Sequence, residues 1–396
     1  MKLSELTEQL GVLTYPEELE KFYNKPYTVS ICDTKNIEKL EAEYELFGKY
    51  LSPLLECSRL VENNEPLRVY GDLIVSYMSK ASPDDVKKIN LPRFDEDTVL
   101  RFYPLLVLAA LMPFGIKKYR ERGFSNEDIY NNLNGTFIAR IEMAERLNEK
   151  QGLDADGYSW LRLYASAMVF RAGIFNITPK KLPHKIVVLR NKLSGKTVIL
   201  ITEGEFHREG AVLGSAGYAD TDGSFPAEFT ETDGAFFGHE IVNSMASPTL
   251  SVYKKSEWEA ILRQGDGVVG IHIPKDANML PDKIRESFRL AMRLSKERYP
   301  EFKTKMIHCA SWLLDPKLAE LLGEGSKIAG FLNCFEKFPI KSSGMSGVFA
   351  FVFPKNFNSY ENLPEDTTLQ RKLKKLYIDG GFIHVFGGIV TDPQMY

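Results

Sequence analysis

A strand, a short loop, an amphipathic helix and a second strand follow one another inside the stretch from Trp258 to Phe335, and that order admits few arrangements. Val268 to Ile273 is an apolar run ended by Pro274, which has no N–H to give a ladder and so belongs at a strand end. Pro281 suits the first turn of a helix, and Asp282 brings negative charge where the helix dipole favours it. Ile284, Phe288, Ala291 and Leu294 then recur at spacings of three and four, which lines one face with apolar side chains. Met306 to Leu314 is a second apolar run, closed by Asp315-Pro316 and long enough for a strand buried on both faces. Strands joined through a helix lie parallel with a right-handed crossover, so the stretch predicts a βαβ unit with a ligand site at its middle.

The remaining chain is arranged around that unit. At 396 residues it exceeds what one hydrophobic core usually organises, and two domains are expected, 1–175 and 176–396. The first reads as all-α. Apolar residues fall near the helical period in Asn36 to Val61, Arg68 to Met78, Asp95 to Tyr119, Asn126 to Asn148 and Tyr158 to Phe170, and Ser125 with Asp128 makes a capping pair. From Lys185 onward KIVVLRN, KTVILITEG, GAVLGSAGY, EFTETDGAFFGHEIV and TLSVYKK alternate with turn residues, which predicts antiparallel strands. IAGFLNCFEKFPI, GVFAFVFP and FIHVFGGIV are expected as strands beyond the crossover, with LQRKLKKLY as a helix. The class is therefore α+β: a helical N-terminal domain, then a mixed, mostly antiparallel sheet flanked by helices with one parallel crossover near its middle.

Several functions are disfavoured. A formal net charge of -3 and the lack of a basic face argue against nucleic-acid binding. The N-terminus has no targeting pattern, and the longest apolar stretch, Tyr103 to Phe114, holds two prolines and falls short of the roughly 20 residues that span a bilayer. No membrane association and a cytoplasmic, reducing location are expected. Cys32, Cys57, Cys309 and Cys334 lack the spacing of a disulfide framework or a thiolate zinc site, so no metal is expected. Glycine-rich nucleotide loops, the HExxH zinc helix and the GxSxG nucleophile turn are absent. Asp220, Asp222, Ser224 and Glu231 have the spacing of a calcium loop, but Phe225 and Pro226 replace its glycine turn, and a solvated hairpin is the better reading.

The strings GDGVVGIHIP, HCASWLLDPKL, SKIAGFLNCF and TTLQRKLKKL resemble the C-terminal domain of a bacterial family of GNAT-like acyltransferases, and the helical front half ending in WLRLYASAMVFRAGIF is similar to that family's N-terminal domain. The resemblance covers nearly the whole chain. It implies a GNAT-like fold and transfer from acetyl-CoA or another acyl-CoA to an acceptor it does not identify, a small-molecule or peptide amine. In that fold the fourth strand splays from the fifth and leaves backbone groups to bond the pantetheine, while the next loop and helix N-terminus hold the pyrophosphate. Carried onto this chain by order, Val268 to Ile273 is the fourth strand, Met306 to Leu314 the fifth, and acyl-CoA runs along Ile271, His272, Ile273, Lys275, Asp276, Ala277 and Asn278. The loop PKDANML departs from the family pattern. It has no glycine, and Asp276 and Asp282 bring negative charge, with Lys275 and Lys283 to offset it and Asn278 tolerant of positive φ.

Alternation puts His272 with Val268 and Gly270, and His308 with Met306, Ala310 and Trp312, so both imidazoles stand on central strands. A histidine there is suited to take a proton from an amine acceptor; the competing reading is a core histidine hydrogen-bonded to its surroundings. Ser311, on the opposite face, is a donor for the thiolate or oxyanion or else a strand-end cap, and Cys309 beside it reads as a small core residue. Glu203, Glu205, His207, Arg208 and Glu209 crowd one hairpin, and Glu240 is a further base without a place. Two readings follow: an N-acyltransferase with His272, His308 and Ser311 at its centre, or a GNAT-shaped binding or scaffold protein that has lost its CoA site.

Overall fold

The structure, a computed structural model, describes every residue except 1, 24, 28, 82, 87, 95, 96, 346 and 354–356, and at 83, 84 and 148 the backbone alone. The chain divides into Met1–Phe170 and Arg171–Tyr396.

The first unit is helical. The Asn36 to Val61 period is two helices, Thr34–Tyr44 and Leu51–Glu62, because Glu45 takes a left-handed conformation (φ 50°) and Gly48–Tyr50 forms a 3-10 turn. The Glu41 carboxylate steadies that corner by accepting from the Phe47 and Gly48 N–H groups at 2.7 and 3.1 Å. The expected start at Asp95 lies outside the described residues; the long helix runs Tyr103–Glu121, with Pro104 in its first turn, where a missing N–H costs nothing. Leu105 through Met112 are all buried, so this apolar segment is the core of the unit. Ser125 and Asp128 make the expected capping box. The last helix, Ala155–Ala165, stops before Phe170, which already belongs to a strand.

The second unit contains strands β1 (Phe170–Ala172), β2 (Phe175–Lys181), β3 (Ile186–Asn191), β4 (Thr197–Ile201), β5 (Glu205–Phe206), β6 (Phe225–Pro226), β7 (Phe229–Glu231), β8 (Ala235–Val242), β9 (Met245–Lys254), β10 (Trp258–Arg263), β11 (Gly267–His272), β12 (Met306–Ser311), β13 (Glu336–Pro339) and β14 (Phe386–Val390). The single sheet expected from the sequence is resolved into two. One has the order β1-β2-β11-β12-β14-β13; the other has β10-β3-β4-β8-β7, with β9 also on β8. They share a core: Ile186, Val188, Ile199 and Leu262 pack against Val268, Met306, Phe338 and Ile389. Both faces of β3 are thus covered, which is why KIVVLRN reads as a continuous apolar run.

In the first sheet β11 and β12 are parallel, and β2 on β11, β14 on β12 and β13 on β14 are antiparallel. The crossover helix, Pro281–Arg298, buries Ile284, Phe288 and Ala291 on the sheet's other face, where Phe288 stacks on Phe175 at 5.6 Å between ring centroids. Leu294, expected in that stripe, is only half-buried, and Met292 and Ser295 are buried instead.

Four strand expectations are corrected, the first being GAVLGSAGY, which makes only the isolated bridges Phe206↔Val212 and Ser215↔Tyr218. The run to Leu314 ends its strand at Ser311 and turns through a 3-10 segment, Trp312–Leu314. IAGFLNCFEKFPI is a helix, Lys327–Leu332, followed by β13, and GVFAFVFP holds a short helix, Val348–Phe351, with Pro354 outside the described residues. Short apolar runs fit buried helix and strand equally, and packing decided: Phe331 and Phe349 each enter an aromatic cluster, with Phe175 and Phe335 or with Phe353, Phe357 and Tyr377.

Candidate active site

β11 and β12 pair at Val268↔Met306, Val269↔Ile307 and Gly270↔His308, and there the ladder stops. β11 runs on to His272 held by β2, with Ile271 opposite Ile177 and His272 opposite Asn176. β12 runs on to Ser311 held by β14, with Cys309 opposite Gly388 and Ser311 opposite Phe386. Each strand therefore follows its outer neighbour, and the pair parts after Gly270 and His308. The Ile271 carbonyl faces that gap, outside the ladder between the two strands, while the backbone groups of His272 point to β2. The Cys309 thiol reaches across it to 3.7 Å from the Ile271 carbonyl. Burial pushes this thiol up to about 12, so it is a neutral packing group and not a nucleophile.

His272 is half-buried where the strands separate, with Nε2 3.2 Å from the Thr178 hydroxyl. Loss of water, and then the charge of Lys180, lowers it to about 3, so the ring is neutral at neutral pH. His308 is fully buried beside Gly270 on the neighbouring strand, and its ring centroid is 5.0 Å from that of His184. Burial holds it well below the ordinary value, helped by Lys180, His184 and His272. Neither His308 nitrogen has a hydrogen-bond partner among the described residues. Gly270 explains how so much side chain fits here. A Cβ at that position would meet Lys180 Cε at 2.8 Å and Nζ at 3.1 Å, so the lysine lies over bare backbone.

Sequence reasoning passed over Thr178, Lys180 and His184. The signal was present: alternation in FNITPKK sets Asn176, Thr178 and Lys180 on the face that carries Gly270, His272 and His308.

Ser311 caps the turn that follows it, its hydroxyl oxygen accepting the Leu313 N–H at 3.1 Å. Asp315 accepts from the Lys317 N–H at 2.9 Å as an N-cap does, and also from the His384 N–H at 2.6 Å. In the loop, Lys275, Asp276 and Asn278 are exposed and Ala277 is half-buried, its N–H closing a turn on the Pro274 carbonyl at 3.1 Å. Asp276 is paired with Arg171 at 3.2 Å, and Asn278 accepts from Lys327 Nζ at 2.9 Å without adopting a positive φ. The crossover helix starts with no side-chain cap, so its first-turn N–H groups are directed at this loop. Ile273 links the splayed strand to it.

Other charged residues singled out earlier lie elsewhere. Asp220 and Asp222 engage Arg208 at 3.2 and 3.3 Å, and Glu203 is paired with Lys185. Glu240 accepts from the Tyr253 hydroxyl and lines a cavity of about 590 Å³ with Lys196, Glu336, Lys337 and Asp392. Thr391 to Pro393 also line it, beyond the end of β14 that pairs with Ile307, so this cavity is at the opposite end of the sheet from the parted strands.

Residues 204–390 match the family model of the GNAT-like C-terminal domain. Similar solved structures include an acyltransferase variant in complex with octanoyl-CoA (16% identity, TM-score 0.66, covering 99% of this chain and 100% of that one). An acyltransferase in complex with decanoyl-CoA is similar at 16% identity and TM-score 0.65, with 99% and 100% covered. Another, in complex with decanoyl-CoA and teicoplanin, is similar at 16% identity and TM-score 0.64, with 98% and 99% covered. No curated relative matches by sequence. The chain has the fold of these acyltransferases, and over residues 204–390 it carries a GNAT-like C-terminal domain.

Proposed function

We propose that the chain transfers an acyl group from acyl-CoA to an amine, in the cytoplasm. The observation that carries this reading is the parting of β11 from β12 beyond Gly270 and His308, and the acyl-CoA complexes of similarly folded acyltransferases support it. Acyl-CoA runs along Ile271, His272 and Ile273, where backbone groups outside the ladder bond the pantetheine amides. Its pyrophosphate meets the uncapped helix N-terminus and Lys275, near Ala277, Asn278 and the Lys327 ammonium bound to Asn278. Arg171 offsets the charge of Asp276.

The amine attacks the thioester carbon; the C–N bond forms, the C–S bond breaks, and the electron pair leaves on sulfur. His272, neutral at neutral pH, takes the amine proton. Ser311, at the end of the other parted strand, donates to the developing thiolate. The acceptor is a small-molecule or peptide amine.

Isothermal titration with acetyl-CoA, octanoyl-CoA and desulfo-CoA tests the donor site, and absence of heat and of competition refutes it. Binding without transfer to any of a panel of amines would leave an acyl-CoA-binding protein, whereas no binding would leave the scaffold that has lost its CoA site, the reading that the glycine-free loop motivates. Transfer that disappears in His272→Ala supports the enzyme.

A further inference from the structure

We propose that His308 and His184 carry the proton released in acyl transfer from the parted strands to solvent, along a relay that opens at His272 and Thr178. This rests on the transferase reading.

A fully buried imidazole with both nitrogens unpartnered among the described residues is costly, because a buried polar group that gives up water without a replacement destabilises the fold. A second, half-buried imidazole adjoins it. His184 Nε2 is also buried without a partner among the described residues, and the ring centroids lie 5.0 Å apart at an interplanar angle of 32°. The rings are neighbours at that spacing, and the relay takes one bridging water between their nitrogens. A neutral imidazole has one donor and one acceptor, so it takes a proton at one nitrogen while releasing one from the other, and ends as its other tautomer.

The order of the relay follows from the register. Thr178, bonded to His272 at 3.2 Å, is opposite Gly270 on one side, and His308 is opposite Gly270 on the other. With no side chain on Gly270, the hydroxyl and the imidazole stand on either side of it with the Lys180 chain over the backbone between them, and water completes the link. His184 follows, half-buried on the Leu182–Lys185 link between the two sheets, with its ring edge-on to Phe338 at 5.1 Å. One proton enters from the acceptor nitrogen and one leaves to water, while the CoA thiolate departs with the electron pair of the broken bond. The charges acting on His308 are those of Lys180 on β2, His272 on β11 and His184 on the link. All are basic groups, so an imidazolium does not persist on the relay and the rings return to neutral.

His184→Phe keeps a ring against Phe338 and removes both nitrogens. The relay predicts that kcat falls about tenfold with KM for acyl-CoA unchanged, and that the solvent deuterium isotope effect on kcat rises. Added imidazoles restore turnover to His184→Gly in proportion to their basicity, which filling of a hole would not do. Nitrogen NMR of the rings gives a readout independent of turnover: His308 and His184 each hold one neutral tautomer, and His184→Phe shifts the His308 nitrogens. Wild-type kcat and isotope effect in His184→Phe, or His308 resonances that do not move, overturn the relay while acyl transfer by the unaltered protein upholds the transferase reading. No acyl transfer by the unaltered protein overturns both.

Discussion

Acid should weaken the second unit more steeply than its carboxylates explain. Burial lowers His184 to about 4 and His272 to about 3, and holds His308 well below its ordinary value. These folded values lie below the unfolded value of about 6.5, so between the two the unfolded chain binds more protons. The stability these rings contribute is therefore whole above about pH 6.5 and is lost as pH falls toward the folded values. Each pH unit in that window costs about 1.4 kcal/mol per ring. At pH 5, about 1.5 units into the window, one ring costs about 2 kcal/mol and three cost about 6 kcal/mol, against about 5–15 kcal/mol for a whole domain. Urea unfolding at pH 7 and pH 5, followed by circular dichroism and by the fluorescence of Trp258 and Trp312, measures the difference. In His184→Phe the loss should shrink by about 2 kcal/mol. A loss below about 1 kcal/mol in the unaltered protein, or the same loss in His184→Phe, would refute the reasoning.

Four further outcomes follow from the same geometry. In Gly270→Ala the new Cβ displaces the flexible end of Lys180, so the fold survives while His272 titrates closer to its ordinary value, visible by NMR. Asp276→Asn removes a carboxylate from the loop and should tighten acyl-CoA about twofold, whereas Lys275→Ala should weaken it a few-fold, both by calorimetry at low salt. Phe288→Ala empties a fully buried position stacked on Phe175 and should cost about 3–5 kcal/mol in urea unfolding.

Much of the fold was legible because long periodic segments leave little choice. The crossover from Val268 to Ser311 is of this kind: proline bounds the first strand, an apolar stripe defines the helix, and parallel pairing follows from the connection. The separation into two sheets was not legible. It depends on Ile186 and Val188 meeting Val268 and Met306 across the sheets, a long-range match that no local window of sequence contains. The site was half visible for a related reason. His272 and His308 stood out as histidines in apolar strands, but Lys180 became part of the site only once the register set its strand beside Gly270. Ser311 was read as either donor or cap, and the hydroxyl oxygen's bond to the Leu313 N–H makes the capping role visible.

The glycine-free loop is the point at which sequence argues most strongly against a phosphate site, and the physics of its replacement is specific. A glycine-rich loop holds phosphate with converging backbone N–H groups, and its attraction is short-ranged and little screened. Here the turn at Pro274 and Ala277 closes on itself, so the first-turn N–H groups of an uncapped helix remain the backbone donors facing the loop. Side chains supply the other attraction: Lys275 within the loop, Lys327 fixed through Asn278, and Arg171 cancelling Asp276 from outside. Such a site attracts by exposed charge, and exposed charge is screened within about 10 Å at 0.1 M salt. On the proposed reading, loss of the glycines exchanges a rigid backbone cradle for a salt-sensitive one whose cations come from the loop and the Lys327–Leu332 helix, with Arg171 neutralising Asp276.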